Sequence, residues 1–269
     1  EYVFGIPGGG TGQIFNFLHG KDDRIKTVLC RHEQTAAIMA DATGRATGKP
    51  AVVMGQGLFI GSNATFGIME AMLSSSPMLI LTDTSDGGVA MHAANQSGAG
   101  EYGSIDLPSI FKSMTKYTTL ATNPKEAAIG TQLAIKHSLS GRPGPAILEM
   151  APDRLAAFEE VAVRESPSEN QAPDPEEALI KQAAARLKAA RCPAILVGGG
   201  TLSATGPLRQ LAEQLQAPVI STISARCVLS DDHPLSYTVL AGQHIWEHVD
   251  VDPVESFQAS AVERAHPER

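Results

Sequence analysis

The sequence predicts an α/β protein made of two three-layer α/β/α domains with mainly parallel sheets, the second domain the shorter. Three observations carry this. Short apolar runs bounded by Gly or Pro alternate with stretches of helical periodicity. The alternation breaks once, in a polar Pro-rich stretch, and then resumes. With 43% hydrophobic and 19% charged residues in 269, the chain has enough apolar material for two ordinary cores.

Taken in order, "EYVFGIPGGG" reads as the middle of a strand running into a Gly turn, as though the chain begins inside a domain. It lacks the basic start of a signal peptide. "RHEQTAAIMADATGRATG" (Arg31–Gly48) reads as a buried helix headed by the charged trio Arg31, His32 and Glu33. "AVVMG" (Ala51–Gly55), "PMLILTD" (Pro77–Asp83) and "PAILEM" (Pro145–Met150) read as buried strands. Between the first two lies "SNATFGIMEAMLSSS", where Ser62 or Asn63 is placed to cap a helix with Phe66, Met69, Met72 and Leu73 on one face. Strand, helix, strand at this spacing is the βαβ unit of a parallel sheet.

A first domain therefore covers 1–163. "RESPSENQAPDPEE" at 164–177 is the linker, polar and without periodicity. The second domain, 178–269, resumes with the amphipathic helix "EALIKQAAARLKAA", the strand "PAILVGGG", the helix "LRQLAEQLQ" and the strand "APVIST".

A formal charge of −8, without a basic stripe, argues against a nucleic-acid partner, since phosphate binding needs clustered Lys and Arg. No apolar run approaches the roughly 20 residues that span a bilayer, so no membrane partner is expected. Cys30, Cys192 and Cys227 form neither a zinc spacing nor a disulfide framework and point to a reducing, cytoplasmic compartment.

Glu33 poses the chemical question. A buried carboxylate without a partner is expensive. It either serves as an acid in the first turn of its helix, favoured by the dipole, or faces a ligand that requires a carboxylate in a dry place.

"VFGIPGGGTGQIFNFL", "RHEQTAAIMADATGRATGKPAVV", "SNATFGIMEAMLSSSPMLILTDT" and "GRPGPAILEMAPD" resemble, in order and spacing to about Asp153, the pyrimidine-binding domain of thiamine-diphosphate-dependent enzymes. The similarity is to the acetolactate synthase-like group, with its related 2-oxoacid decarboxylases. "PAILVGGGTLSATGPLRQLAEQLQAPVIST", "DDHPLS" and "VDVDP" resemble that group's Rossmann-like central domain.

The resemblance implies that Glu33 hydrogen-bonds N1′ of the cofactor's aminopyrimidine and favours the tautomer that deprotonates the thiazolium. Ala36, Ala37 and Ile38 would keep that pocket dry. Ile6, Pro7 and Gly8 fall where the family's turn meets the pyrimidine, although Pro-Gly is also an ordinary turn pair. Asn63 matches an Asn of the family segment that here reads "LFIGSN", with Phe59 in place of a Pro; it is equally suited to a helix cap.

At the place of the group's substrate-contacting Gln stands Gly103, with Gln96 slightly upstream in a long Gly- and Ser-rich loop. His92 in that loop is either a solvated side chain or a proton donor to a 2-oxoacid.

The resemblance further implies C–C bond making or breaking next to a carbonyl, and a homodimer or homotetramer. The family's diphosphate signature is not found, as "SDGG" lacks the leading Gly and the downstream Asn pair. Magnesium and the diphosphate are thus expected on a domain outside this chain, which alone would be inactive. The second domain is abridged near Gly242–Gln243, so FAD is not expected. A non-catalytic binding or assembly module that kept the fold is the alternative. "HIWEH" formally matches an inverted zinc-peptidase motif, but strand-like "VDVDP" follows where the helix should continue.

Overall fold

The computed structural model describes residues 2–21, 23–84, 105–151, 157–162, 175–245 and 248–249. The chain divides into two compact units, Glu1–Gln171 and Ala172–Arg269.

The first unit is built on six strands, β1 (Tyr2–Gly5), β2 (Lys26–Leu29), β3 (Ala51–Gly55), β4 (Met78–Asp83), β5 (Tyr117–Ala121) and β6 (Pro145–Met150). All neighbours pair in parallel, in the order β2-β1-β3-β4-β6-β5. The chain moves outward from β1 to β2 and then returns to place β3 on the other side of β1. In sheets of this kind the crevice that takes a ligand lies at such a reversal, here at the carboxyl ends of β1 and β3. The three apolar runs read from sequence are β3, β4 and β6. The flanking strands β2 and β5 carry threonines and are half-exposed, as sheet edges are.

The connecting helices are α1 (Gly12–Leu18), α2 (Glu33–Thr47), α3 (Gly57–Asn63), α4 (Thr65–Ser74), α5 (Leu107–Met114) and α6 (Pro124–Leu139). Alternate strand residues point to opposite faces. Phe4, Val53, Ile80 and Ile147 meet Ala36, Ala40, Ile60, Ile68, Leu107 and Phe111 of α2 to α5. Val3 and Met54 pack with Phe15 of α1, and Leu79 and Ala146 with Ala134 of α6. The result is a sheet between two helical layers.

The Ala-rich composition of α2 has a local cause. A Cβ added at Gly67 of α4 would lie 2.6 Å from the Cβ of Ala37, so these two helices meet almost backbone to backbone. Ala36, Ala37 and Ala40 are fully buried there.

Two sequence expectations are corrected here. Neither Ser62 nor Asn63 caps α4. Both belong to α3, whose carbonyls already engage the following turn: Thr65 Oγ1 donates to Gly61 O and Ala64 N to Ile60 O. The apolar face of α4 turned to the core is Gly67, Ile68 and Ala71, whereas Phe66, Met69 and Leu73 are exposed.

Arg142 fastens the far end of α4. Its Nε donates to Ser75 Oγ at 2.7 Å and its Nη2 to the carbonyls of Leu73 and Met72 at 2.9 and 3.2 Å. These are carbonyls that a helix end leaves without intrahelical partners. Arg142→Ala should lower the protection of the α4 amides by about 1 kcal/mol, read by native-state hydrogen exchange.

In the second unit α7 (Glu177–Ala189), β7 (Ile195–Val197), α8 (Thr205–Leu215), β8 (Val219–Ser221), β9 (Ser236–Thr238) and α9 (Val239–Gly242) follow in order. The three strands form a parallel sheet, β7-β8-β9. Its core joins Val197, Leu208, Ala212, Val219, Val228 and Leu229. The helix expected over "EALIKQAAARLKAA" is α7, but none of its residues is buried, and Leu179 and Ile180 are about half exposed. Most of the Pro-rich stretch at 164–177 lies outside the described residues.

Candidate functional site

Glu33 opens α2 three residues after Cys30, whose N–H donates to Gly5 O at the end of β1. His32, in extended conformation, caps the helix by accepting from Gln34 N through Nδ1. This delivers Glu33 to the crevice mouth with only 8% exposure. Its Oε2 accepts from Asn63 Nδ2 at 3.0 Å. Among the described residues nothing donates to its other oxygen.

Asn63 therefore spends its amide on Glu33 and not on a helix end. Phe59 stands one turn before Asn63 on the same face of α3 and is partly exposed. Ala36 and Ala37 are fully buried behind the carboxylate, as the sequence suggests. Ile38 is not part of that lining. It lies on the outer side of α2, 40% exposed.

The turn after β1 forms the neighbouring wall. Ile6 N donates to Met54 O at 3.3 Å, Pro7 is exposed and Gly8 half-buried. Thr11, fully buried, closes the turn through its hydroxyl on Gly8 O at 2.6 Å. Gly9 adopts φ +52°, in the left-handed region that suits glycine.

The residue that fixes this arrangement is Asp83, which sequence reasoning does not single out. It ends β4 and is fully buried. Its Oδ2 accepts from Gly10 N at 2.7 Å and Thr11 N at 3.3 Å, and its Oδ1 from Gly57 N at 3.1 Å. The Gly-rich turn is thus an anion nest filled by the protein's own carboxylate. The available signal was an acid terminating a largely apolar strand, in a chain with a Gly cluster after its first strand.

A second buried acid, Glu149, lies on β6 with 2% exposure, beside Thr82 in the register. Its Oε2 has no hydrogen-bond partner. Burial, and secondarily the charge of Asp106, push its carboxyl up to about 7. Asp106 itself caps α5, and the Ser109 hydroxyl and N–H hold it below the usual carboxylate range.

Glu33 and Asn63 thus stand together; Phe59 lies one turn before Asn63 on α3, and Ile6, Pro7 and Gly8 follow β1. Gln96, His92 and Gly103 lie outside the described residues. Among the described residues no group of three or more His, Cys, Asp or Glu side chains is placed to hold a metal ion. No described helix is long and apolar enough to cross a membrane.

A dry carboxylate with one oxygen fixed and the other uncommitted suits exchange of a hydrogen with a weakly basic ring nitrogen. The residues present fit an aminopyrimidine.

Residues 1–97 match the family described as thiamine pyrophosphate enzyme, N-terminal TPP binding domain, and residues 180–251 match thiamine pyrophosphate enzyme, central domain. The chain is 33% identical to the acetolactate synthase isozyme 1 large subunit of Escherichia coli, over 91% of this chain and 42% of that protein. It is 30% identical to an acetolactate synthase of Bacillus subtilis, over 86% of this chain and 39% of the relative. A Pseudomonas aeruginosa protein named "Probable 2-ketoarginine decarboxylase AruI" is 33% identical over 88% of this chain and 41% of its own length. The chain spans about two fifths of the length of these relatives.

Proposed function

Because the chain belongs to the thiamine pyrophosphate enzymes of acetolactate synthase-like type, we propose that its first unit seats the aminopyrimidine of thiamine diphosphate in an enzyme that makes or breaks a C–C bond beside the carbonyl of a 2-oxoacid. One observation carries the reading: the buried Glu33 carboxylate at the crevice mouth, with Oε2 held by Asn63 and its other oxygen uncommitted.

In this reading Glu33 is the proton partner of the pyrimidine N1′. Asn63 fixes the carboxylate's orientation by donating to one oxygen, so that the other faces the ring. Ile6, Pro7, Gly8 and Phe59 would hold the pyrimidine ring beside Glu33. Ala36 and Ala37 exclude water behind Glu33, which sharpens its preference for the ring nitrogen over solvent. When bound, the cofactor supplies the nucleophilic carbon and the electron sink. Gln96, His92 and Gly103 are proposed to lie near the substrate.

The domain reading is that 1–163 is the pyrimidine domain, 164–177 a linker and 178–269 an abridged central domain. The diphosphate and its magnesium are taken by a domain outside this chain, and FAD is not bound. Ile38, Met39, Phe66, Met69 and Leu73 leave an apolar strip on the outer side of α2 and α4. It supports assembly into a homodimer or homotetramer, with activity confined to the assembled protein. The compartment is cytoplasmic, as the cysteine usage suggests.

The test is Glu33→Gln in the full-length native protein. Turnover of a 2-oxoacid dependent on thiamine diphosphate should fall by roughly 100-fold or more, the range of lost acid–base catalysis. Undiminished turnover overturns the reading.

A further inference from the structure

We propose that Asp83 is a positioning residue for the cofactor: its carboxylate sets the spacing between the turn after β1 and α3, and with it the place of Asn63 beside Glu33. This deepens the function proposed above and rests on it.

Helix α3 stands between two acids. Its first residue, Gly57, donates its N–H to Asp83 Oδ1 at 3.1 Å, and its last, Asn63, donates Nδ2 to Glu33 Oε2 at 3.0 Å. The other oxygen of Asp83 accepts from Gly10 N at 2.7 Å and Thr11 N at 3.3 Å. Thr11 in turn ties back to Gly8 O through its hydroxyl. One carboxylate thus joins the turn that follows Ile6, Pro7 and Gly8 to the helix that carries Asn63.

The glycines at this junction leave room for Asp83 and its backbone. A Cβ at Gly9 would lie 2.6 Å from Asp83 Oδ2, and one at Gly57 would lie 1.9 Å from Asp83 O. The Gln56 side chain, one residue before α3, lies against the same turn, its Cγ 3.1 Å from that Cβ position at Gly9. Asp83 itself is fully buried. The backbone on either side of it is tied down: Thr82 Oγ1 donates to Gly55 O at 2.8 Å and Thr84 N to Met150 O at 3.1 Å.

The packing of α3 turns it into a lever. It is gripped at Gly61, where a methyl carbon of Leu107 on α5 comes within 2.6 Å of the Cβ position. Gly57 lies four residues before that grip and Asn63 two after it. At about 1.5 Å per residue, a drift of about 1 Å at Gly57 swings Asn63 by roughly 0.5 Å the other way. That is about the tolerance within which a binding constellation works. Loss of the clamp therefore loosens Asn63 from Glu33 without touching either residue, and frees the turn at Gly8 as well.

Calorimetric titration of thiamine diphosphate into the full-length native protein tests this, because the fitted stoichiometry reports the folded fraction and the Kd reports the slot. Asp83→Ala should weaken the Kd about tenfold, the worth of one hydrogen bond to the ring. Formate, a carboxylate that fits the space the side chain leaves, should restore most of the affinity; formamide, with a single acceptor oxygen, should not. An unchanged Kd in the folded fraction overturns the proposal. So does a weakened Kd that formate leaves as it is, or that formamide restores equally.

Should the variant not fold even in formate, hydrogen exchange on the wild type decides. Coupling between sites is reciprocal, so saturating thiamine diphosphate should slow exchange at Gly10, Thr11 and Gly57 about tenfold more than along the edge strand β5. Equal slowing, or none, overturns the proposal. Cofactor that fails to bind the wild type overturns the function proposed above and this proposal with it, whereas cofactor that binds wild type and variant alike overturns this proposal alone.

Discussion

Asp83→Ala should lower the stability of the first unit by about 4 kcal/mol. The Asp83 carboxylate accepts from Gly10, Thr11 and Gly57, and each buried donor left without a partner costs about 1–3 kcal/mol. The sum is tempered by water reaching the turn. Asp83→Asn should cost nearly as much, because its single carbonyl cannot serve both sets of donors and its NH2 would confront N–H groups. The measurement is the unfolding free energy of β3 and β4 amides by native-state exchange in the full-length native protein. A loss below about 1 kcal/mol in both variants would show that the clamp holds nothing.

The second large effect is a fall in stability of the first unit between pH 4.5 and about 7. Glu149 is the source: burial raises its carboxyl from 4.5 to about 7. In that window the folded state keeps a proton that the unfolded state has released, so raising the pH favours unfolding. The contribution is complete below 4.5, is lost as pH rises toward 7, and stays lost above it. At about 1.4 kcal/mol per pH unit the loss is on the order of 3 kcal/mol. Glu149→Gln should flatten this slope. Its amide introduces a pH-independent cost of its own, so the slope and not the level is diagnostic. Core-amide stability measured from pH 5 to pH 8 gives the answer. A wild-type profile that is flat there, or a variant with an equal slope, contradicts it.

The fold was legible where chemistry is local. β3, β4 and β6 are apolar runs because both of their faces are covered, and periodicity reports that directly. β2 and β5 escaped because edge strands carry threonines and half-exposed positions. Phe66, Met69 and Leu73 misled in the opposite sense, being apolar and yet outside the core.

α3 was hidden by its glycines. Leu107, some fifty residues on, takes the space beside Gly57 and Gly61 that any larger residue would fill. Within the site, Glu33 and Asn63 were each named, but their mutual bond depends on the packing of two helices. Asp83 was not singled out as a site residue, because the Gly10, Thr11 and Gly57 amides it binds lie far off along the chain.

The sheet order carries a consequence for biosynthesis. β6 is the last strand of its unit to be made, yet it sits between β4 and β5 and matches β4 along six residue pairs. A ribosome that has released everything up to residue 144 still holds back the piece that joins the two halves. Until it emerges, the inner edge of β4 has no neighbour and invites association with other nascent chains. The pace at which residues 145–150 leave the exit tunnel thus governs how long this protein is vulnerable to aggregation.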